Sequence, residues 1–153
     1  MKKFAIALAF LSLILPACKK DEVPTGPPTQ QQPPSPISIV VKVGTFTGQN
    51  GYVTEGSCEI LRDTTNGVET LRTGSSFRVS GGAGTIGFWL TNSVGAGNLN
   101  NTTNKLQVST ISSGFSGVYS FPIPGNNSSA YTHVVAFCEA ARINFGFAQL
   151  QQP

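Results

Sequence analysis

The stretch AYTHVVAFCEAARINFGFAQL, residues 130–150, decides the fold of this chain. It contains two apolar runs rich in Val, Ala and Phe, and neither run shows a sustained helical period. Aromatic and β-branched residues of this kind favour strands. The stretch therefore predicts two consecutive strands, Ala130 to Cys138 and Arg142 to Leu150.

The same pattern extends toward the amino terminus as far as Ile37, as short apolar or alternating runs separated by Gly, Asn, Ser and Thr. Asn66-Gly67 predicts a hairpin turn, because both residues accept positive φ. The fold class is therefore predicted to be all-β, a single antiparallel β-sandwich domain over residues 37–153. With the pair above, the predicted strands are Ser38 to Thr47, Tyr52 to Arg62, Gly67 to Arg72, Ser76 to Ser80, Ile86 to Thr91, Lys105 to Thr110, Ser116 to Phe121, Ala130 to Cys138 and Arg142 to Leu150.

A secretion signal over residues 1–17 is predicted ahead of this domain. Lys2 and Lys3 stand before an apolar run from Phe4 to Leu15 that only Ser12 interrupts, which is the pattern of a signal peptide. A helix of that length covers about 18 Å at ~1.5 Å per residue, too little to cross a hydrocarbon core of ~30 Å. A membrane-spanning anchor is therefore disfavoured.

Cys18 follows directly, and the tetrapeptide LPAC at residues 15–18 resembles the bacterial lipobox. The resemblance implies cleavage before Cys18 and its lipidation with palmitate-type chains, of which more than one holds a protein stably at a membrane. The alternative is a secreted protein in which Cys18 is incidental. Lys19 to Glu22 is similar to a tag that places some Gram-negative lipoproteins on the exterior of the outer membrane; the alternative is a solvated charge cluster.

Residues 18–36, which comprise the lipidated cysteine and the linker after it, are predicted to form an extended tether. Val23 to Pro36 contains six Pro and the run Gln30 to Gln32, a composition typical of polyproline-type linkers. Beyond Cys18, eight Lys and Arg stand against seven Asp and Glu. This balance lacks the basic excess that binds nucleic acid, so nucleic acid is not a predicted partner. The lipid on Cys18 makes the membrane a predicted partner.

Two further cysteines, Cys58 and Cys138, lie inside predicted strands, in a compartment that permits disulfides. The sequence leaves two alternatives open: a disulfide between them, or two buried thiols that act as small hydrophobic groups. His133 is the only histidine and stands five residues before Cys138. Two residues at that spacing on one strand point to opposite faces, so a Cys–His nucleophile pair is not predicted.

No other pattern predicts a catalytic or metal centre. The His, Cys and acidic residues show no metal-ligand spacing, so no metal and no cofactor are expected. No motif pairs the acids of the domain, which are Glu55, Glu59, Asp63, Glu69 and Glu139. Glu55 and Glu59 share strand parity and are expected on a solvated strand face. Four aromatic residues are assigned either to the core or to a sugar-binding face: Tyr52, Trp89, Tyr119 and Tyr131. The core is assigned Phe46, Phe77, Phe88, Phe121, Phe137, Phe145 and Phe147.

The closing pair of strands is similar to the closing signature of the DM-thirteen domain family. In this signature Gly146 follows Cys138 by eight residues, and earlier markers extend the resemblance over residues 44–150. It implies a β-sandwich with an electron-transfer or redox role through the family's cysteine, which corresponds to Cys138. The matching residues are Tyr131, Val134, Val135, Phe137, Cys138, Asn144, Phe145, Gly146, Ala148 and Leu150.

The chain also departs from the family pattern. Gly-Thr stands at residues 84–85 where the family has Pro-Asp, no His occurs at residues 51–52, and Phe137 replaces a Trp. Cys58 occupies a position that is apolar in the family. We interpret it as a partner for Cys138 that is specific to this lineage.

Two functions follow from these observations. The first is a redox module in which Cys138, alone or with Cys58, exchanges electrons with a partner protein. The second is a non-catalytic surface module that binds protein or glycan through the polar loops Gly95 to Asn104 and Gly125 to Ser129.

Overall fold

The computed structural model describes residues 37–80, 84–94, 99–112 and 114–153. The signal segment, Cys18 and the linker lie outside these ranges, so lipidation of Cys18 stays a prediction. Short 3-10 turns occur at Leu99–Asn101, Pro124–Asn126 and Ser128–Ala130. The strands of the described ranges are β1 (Ser38–Gly48), β2 (Thr54–Glu55), β3 (Ser57–Asp63), β4 (Glu69–Thr73), β5 (Arg78–Val79), β6 (Thr85–Thr91), β7 (Lys105–Ser112), β8 (Ser120–Pro122), β9 (His133–Cys138) and β10 (Ile143–Gln149).

Eight of these strands form one antiparallel sheet in the order β7-β6-β9-β10-β1-β3-β4-β8, while β2 and β5 pair separately. The long strand β1 belongs to both halves of the sheet. Residues 38–45 pair with β3, and residues 46–48 pair with β10. The halves pack against each other, since the ring centroids of Phe88 on β6 and Phe121 on β8 are 5.5 Å apart. The predicted all-β, antiparallel sandwich is confirmed.

The outer face of β9 is covered by a loop, which explains its uninterrupted apolar sequence. Residues 134, 136 and 138 of β9 point into the main core. Val135 and Phe137 pack on the opposite face against Leu99. The Leu99 N–H donates to Asn144 Oδ1 at 2.9 Å, and Lys105 Nζ donates to the Leu99 carbonyl at 3.1 Å. A strand packed on both faces reads as continuous rather than alternating.

Most of the aromatic assignments agree with this packing. Five of the seven assigned Phe are buried, whereas Phe121 and Phe147 are half-buried. Tyr131 is buried, and Tyr52 stacks on Phe145 with centroids 3.8 Å apart. Trp89 packs against the second cluster, which consists of Leu99, Val135 and Phe137 on the outer face of β9. Tyr119, in contrast, is 42% exposed. The four residues therefore lie neither all in the core nor all on one sugar-binding face.

The hairpin predicted at Asn66-Gly67 is confirmed between β3 and β4. Gly67 has φ +74, while Asn66 contributes through its side chain, whose Oδ1 accepts the Val68 N–H at 2.8 Å. The single strand predicted over Tyr52 to Arg62 is wrong. It is divided into β2 and β3 at Gly56, where the backbone has φ +95.

Candidate functional site

Cys58 lies on β3 and is buried, with 2% of its surface exposed. It stands opposite Gly44 of β1, and a Cβ at Gly44 would come within 3.3 Å of the Cys58 Sγ. Burial of the thiol, together with the charge of Glu59, raises the pKa of Cys58 to about 12. Cys58 is therefore protonated and shielded near neutral pH. Because the thiolate is the reactive form, we expect this thiol to be unreactive in the folded protein.

Cys138 ends β9 and is also 2% exposed. Its side chain packs in the main core, and the Ala141 N–H donates to its Sγ with an N···S distance of 3.5 Å. No disulfide joins the two described cysteines, Cys58 and Cys138. Of the two alternatives that the sequence left open, the structure therefore has the buried thiols.

His133 begins β9 on the face opposite to Cys138, as strand alternation predicted. Its ring centroid lies 6.0 Å from that of Phe147, on the outer side of the sheet, whereas Cys138 faces the core. Burial lowers the pKa of His133, so the imidazole is neutral near pH 7. The histidine therefore cannot activate Cys138 in this arrangement.

Carboxylates on neighbouring strands pair with arginines rather than with each other. Glu139 instead accepts the Trp89 Nε1–H at 2.9 Å. General acid–base chemistry with two carboxylates requires both on one substrate site, which this arrangement does not provide. The pairs are Glu55 with Arg78, Glu59 with Arg72 and Glu69 with Arg62.

Glu69 lies at the centre of a buried polar cluster that the sequence did not predict. It is 1% exposed; its Oε1 accepts Arg62 Nε–H at 3.0 Å and its Oε2 accepts the Ser128 N–H at 2.8 Å. Lys42 Nζ donates to the carbonyls of Ser128, at 2.8 Å, and Tyr131, at 2.5 Å. The signal that could have found Glu69 is its strand parity with Leu71, a core residue.

This cluster includes a residue from one of the two loops predicted to bind a ligand. Ser128, in the loop Gly125 to Ser129, is buried against Glu69. The other loop, Gly95 to Asn104, is anchored to the sheet through Leu99 and Asn144, and its residues 95–98 lie outside the described ranges. Both loops thus make internal contacts that hold the sandwich together.

A groove of about 320 Å³ opens on the outer face, between β1 and β10. The two strands pair at Thr47 with Phe147 and again at Val43 with Gln151, and the ladder is interrupted between these pairs. Thr45, Thr47, Gln149 and Gln151 are exposed, while Val43 and Phe147 are half-buried. The lining residues are Val43, Gly44, Thr45, Thr47, Phe147, Gln149 and Gln151. Sequence alternation places each of them on a strand face, but it does not show that β1 and β10 are neighbours.

These features define an all-β domain of the antiparallel sandwich type with buried thiols and a polar outer groove. A scan against models of protein families, a search of curated proteins and a search of solved structures found no match. The resemblance to the DM-thirteen family stays a prediction. Within the described ranges, no three His, Cys, Asp or Glu side chains converge as a metal site would require. No helix in those ranges has the length and apolar character needed to cross a membrane.

We expect both thiols to resist modification in the folded protein, because burial excludes the reagent and Cys58 is protonated. Native protein should react slowly with a chromogenic disulfide reagent, whereas both thiols should react at once in denatured protein. A Ser120→Cys variant, which adds a cysteine at an exposed strand position, serves as the accessible control. Reaction of Cys138 in the native state at the rate of this control would contradict the expectation and would favour the redox function.

Proposed function

We propose that this chain is a lipoprotein, anchored through Cys18 to the outer membrane and facing the cell exterior, whose domain binds a surface ligand without transforming it. The groove between β1 and β10 carries this proposal, since it is a concave outer surface lined by hydrogen-bonding side chains. The lipobox and the Pro-rich linker support the anchor and a distance between membrane and domain.

A binding module fits the described residues better than a redox module does. Thiol–disulfide exchange needs a thiolate that a partner can reach, and Cys58 and Cys138 are both buried. The electron-transfer role that the DM-thirteen resemblance implies stays a prediction. It would need a movement that uncovers the end of β9, where Cys138 lies.

The anchor can be tested in expressing cells by labelling with a palmitate analogue. We expect label on the whole protein, none on the Cys18→Ala variant, and removal of the domain when intact cells are treated with protease. Label that is unchanged in the variant would contradict lipidation at Cys18. Protection of the domain until the outer membrane is opened would contradict display on the exterior.

The binding role can be tested with the whole lipoprotein in detergent, applied to arrays of polysaccharides and of extracellular proteins. We expect retention by one ligand class, loss of retention in the Thr45→Arg variant, and normal retention in Gln107→Arg. Thr45 lines the groove, and Gln107 is an exposed residue of β7, so the two variants add the same charge at different strands. No retention on any array, or equal retention of both variants, would contradict the proposed function.

A further inference from the structure

We infer that the groove between β1 and β10 is a saccharide-binding site, with Phe147 as the stacking surface and the Gln149 and Gln151 amides as hydrogen-bonding groups, and that its ligand is a neutral glycan. This inference rests on the proposed function and names the chemistry of its ligand. It replaces the two polar loops as the predicted place of glycan binding.

The side chains of the groove carry hydrogen-bonding groups but no formal charge. Gln149 and Gln151 each offer an amide that donates and accepts, and Thr45 and Thr47 each offer a hydroxyl that does both. The hydroxyl groups of a sugar also donate and accept. Amides and hydroxyls can therefore match a neutral sugar without the desolvation of a buried charge.

These groups are available to a ligand, because the protein does not use them. Among the described residues, the side chains of Thr45, Thr47, Gln149 and Gln151 have no hydrogen-bond partner, and all four are exposed. The neighbouring Thr54 differs, since its Oγ1 donates to the Phe145 carbonyl at 3.0 Å. Solvent therefore occupies the donors and acceptors of the groove until a ligand displaces it.

The strands fix these groups in a regular array. Residues two positions apart on a strand are about 6.6–6.8 Å apart, and neighbouring strands are ~4.8 Å apart. Gln149 therefore follows Phe147 along β10 at this interval, and Gln151 lies just beyond the strand, where it pairs with Val43 of β1. The Thr hydroxyls of β1 lie beside them. A row of this kind suits an extended chain of sugar rings that lies along the groove.

Phe147 can act as a flat apolar surface because packing holds its ring. It is half-buried, packs against the second cluster, and its centroid lies 6.0 Å from that of His133. An aromatic ring presents an apolar face to the C–H groups of a sugar, while the polar groups beside it fix the orientation. The half-buried position limits the entropy that the ring loses on binding.

The charges next to the groove do not favour an acidic or basic ligand. Glu59 stands opposite Val43 in the register, and it is already paired with Arg72, whose Nε lies 2.6 Å from Glu59 Oε1. His133, opposite Gln149, is neutral near pH 7 because burial lowers its pKa. The volume of the groove, about 320 Å³, lies within the ~300–1,000 Å³ range of small-molecule sites, so the groove holds a short stretch of a sugar chain.

The test uses the whole lipoprotein in detergent on immobilised β-glucan, mannan and xylan, with alginate and heparin as acidic polymers. We expect retention on a neutral polymer that persists in about 1 M salt, since screening at that concentration weakens contacts between charges. The Gln149→Ala/Gln151→Ala variant should bind about tenfold more weakly or worse. Gln107→Ala, which removes an exposed amide from β7, should bind like the parent.

A second variant tests the stacking surface. Phe147→Leu keeps an apolar contact with the second cluster but removes the aromatic face, so it should also lose affinity while its urea unfolding midpoint stays near that of the parent. The inference is overturned if only acidic polymers are retained, if neutral-polymer binding is unchanged in the double variant, or if no saccharide is retained. Binding of a protein ligand that Thr45→Arg abolishes would overturn the saccharide inference and leave the proposed function standing.

Discussion

Replacing Glu69 with Ala should lower the free energy of unfolding by about 2–3 kcal/mol. The substitution removes the acceptor of the buried Ser128 N–H and the counter-charge beside Lys42. Breaking a fully buried ion pair costs ~3–5 kcal/mol; the expected value is lower because the Arg62 side chain is 44% exposed and can turn to water. Urea unfolding, followed by tryptophan fluorescence, measures the change.

Glu55 provides the matched control for this prediction. It is also a strand glutamate paired with an arginine, Arg78, but both side chains are exposed. Exposed pairs contribute ~0–1 kcal/mol, so Glu55→Ala should leave the unfolding free energy almost unchanged. Equal losses in the two variants would show that burial does not decide the contribution of these pairs.

The same cluster gives stability a dependence on pH. Burial raises the pKa of Glu69, but hydrogen bonds from Arg62 and Ser128 and the charge of Arg62 outweigh it, so the pKa lies below its usual value. The ionised form then stabilises the fold above the unfolded pKa of about 4.3, and this contribution is lost as the pH falls through the folded pKa. The stability difference between the parent and Glu69→Gln should shrink with acidification below about pH 4. This subtraction cancels the contribution of His133, which both proteins share.

The burial of Glu69 also shows where sequence patterns stop being sufficient. Alternation along β4 places Glu69 on the same face as Leu71, and this observation was available from the sequence. What makes burial tolerable is a backbone N–H from Ser128, which lies far along the chain in a 3-10 turn. A partner this distant depends on the docking of the turn against β4, which a local pattern does not contain.

The two cysteines and the groove show the same limit: the sequence predicts which residues lie in strands, but not which strands are neighbours. Their strand positions were predicted correctly, since Cys58 lies in β3 and Cys138 in β9. Whether they could form a disulfide depended on the order of strands in the sheet, which periodicity leaves undetermined. The groove needs Gln149 of β10 beside Thr45 of β1, strands at opposite ends of the domain sequence. The sequence predicts β1 and β10 each as a strand, but it does not predict that the two strands are neighbours.

Replacing Gly56 with Ala should destabilise the domain by about 3–4 kcal/mol. Its φ of +95 lies in the region where a side chain costs ~1–2 kcal/mol. In addition, an added Cβ would overlap Phe77, lying 2.5 Å from its backbone N, and overpacking of this kind costs ~1–3 kcal/mol. The Gly56 carbonyl also accepts the Phe46 N–H at 2.8 Å, so the segment cannot move aside without disturbing β1. Urea unfolding of the purified variant measures the loss.

Gly117→Ala separates the two causes. Gly117 has φ +107, and nothing lies within 4 Å of an added Cβ there, so this variant should carry only the backbone strain of about 1–2 kcal/mol. The difference between the variants then reports the overlap with Phe77, the residue whose ring packs 5.1 Å from that of Phe46 in the core. Failure of Gly56→Ala to fold, beside a folded Gly117→Ala, agrees with this reasoning. Equal destabilisation would mean that the break between β2 and β3 requires glycine for its conformation alone, and that Phe77 can yield to a methyl group.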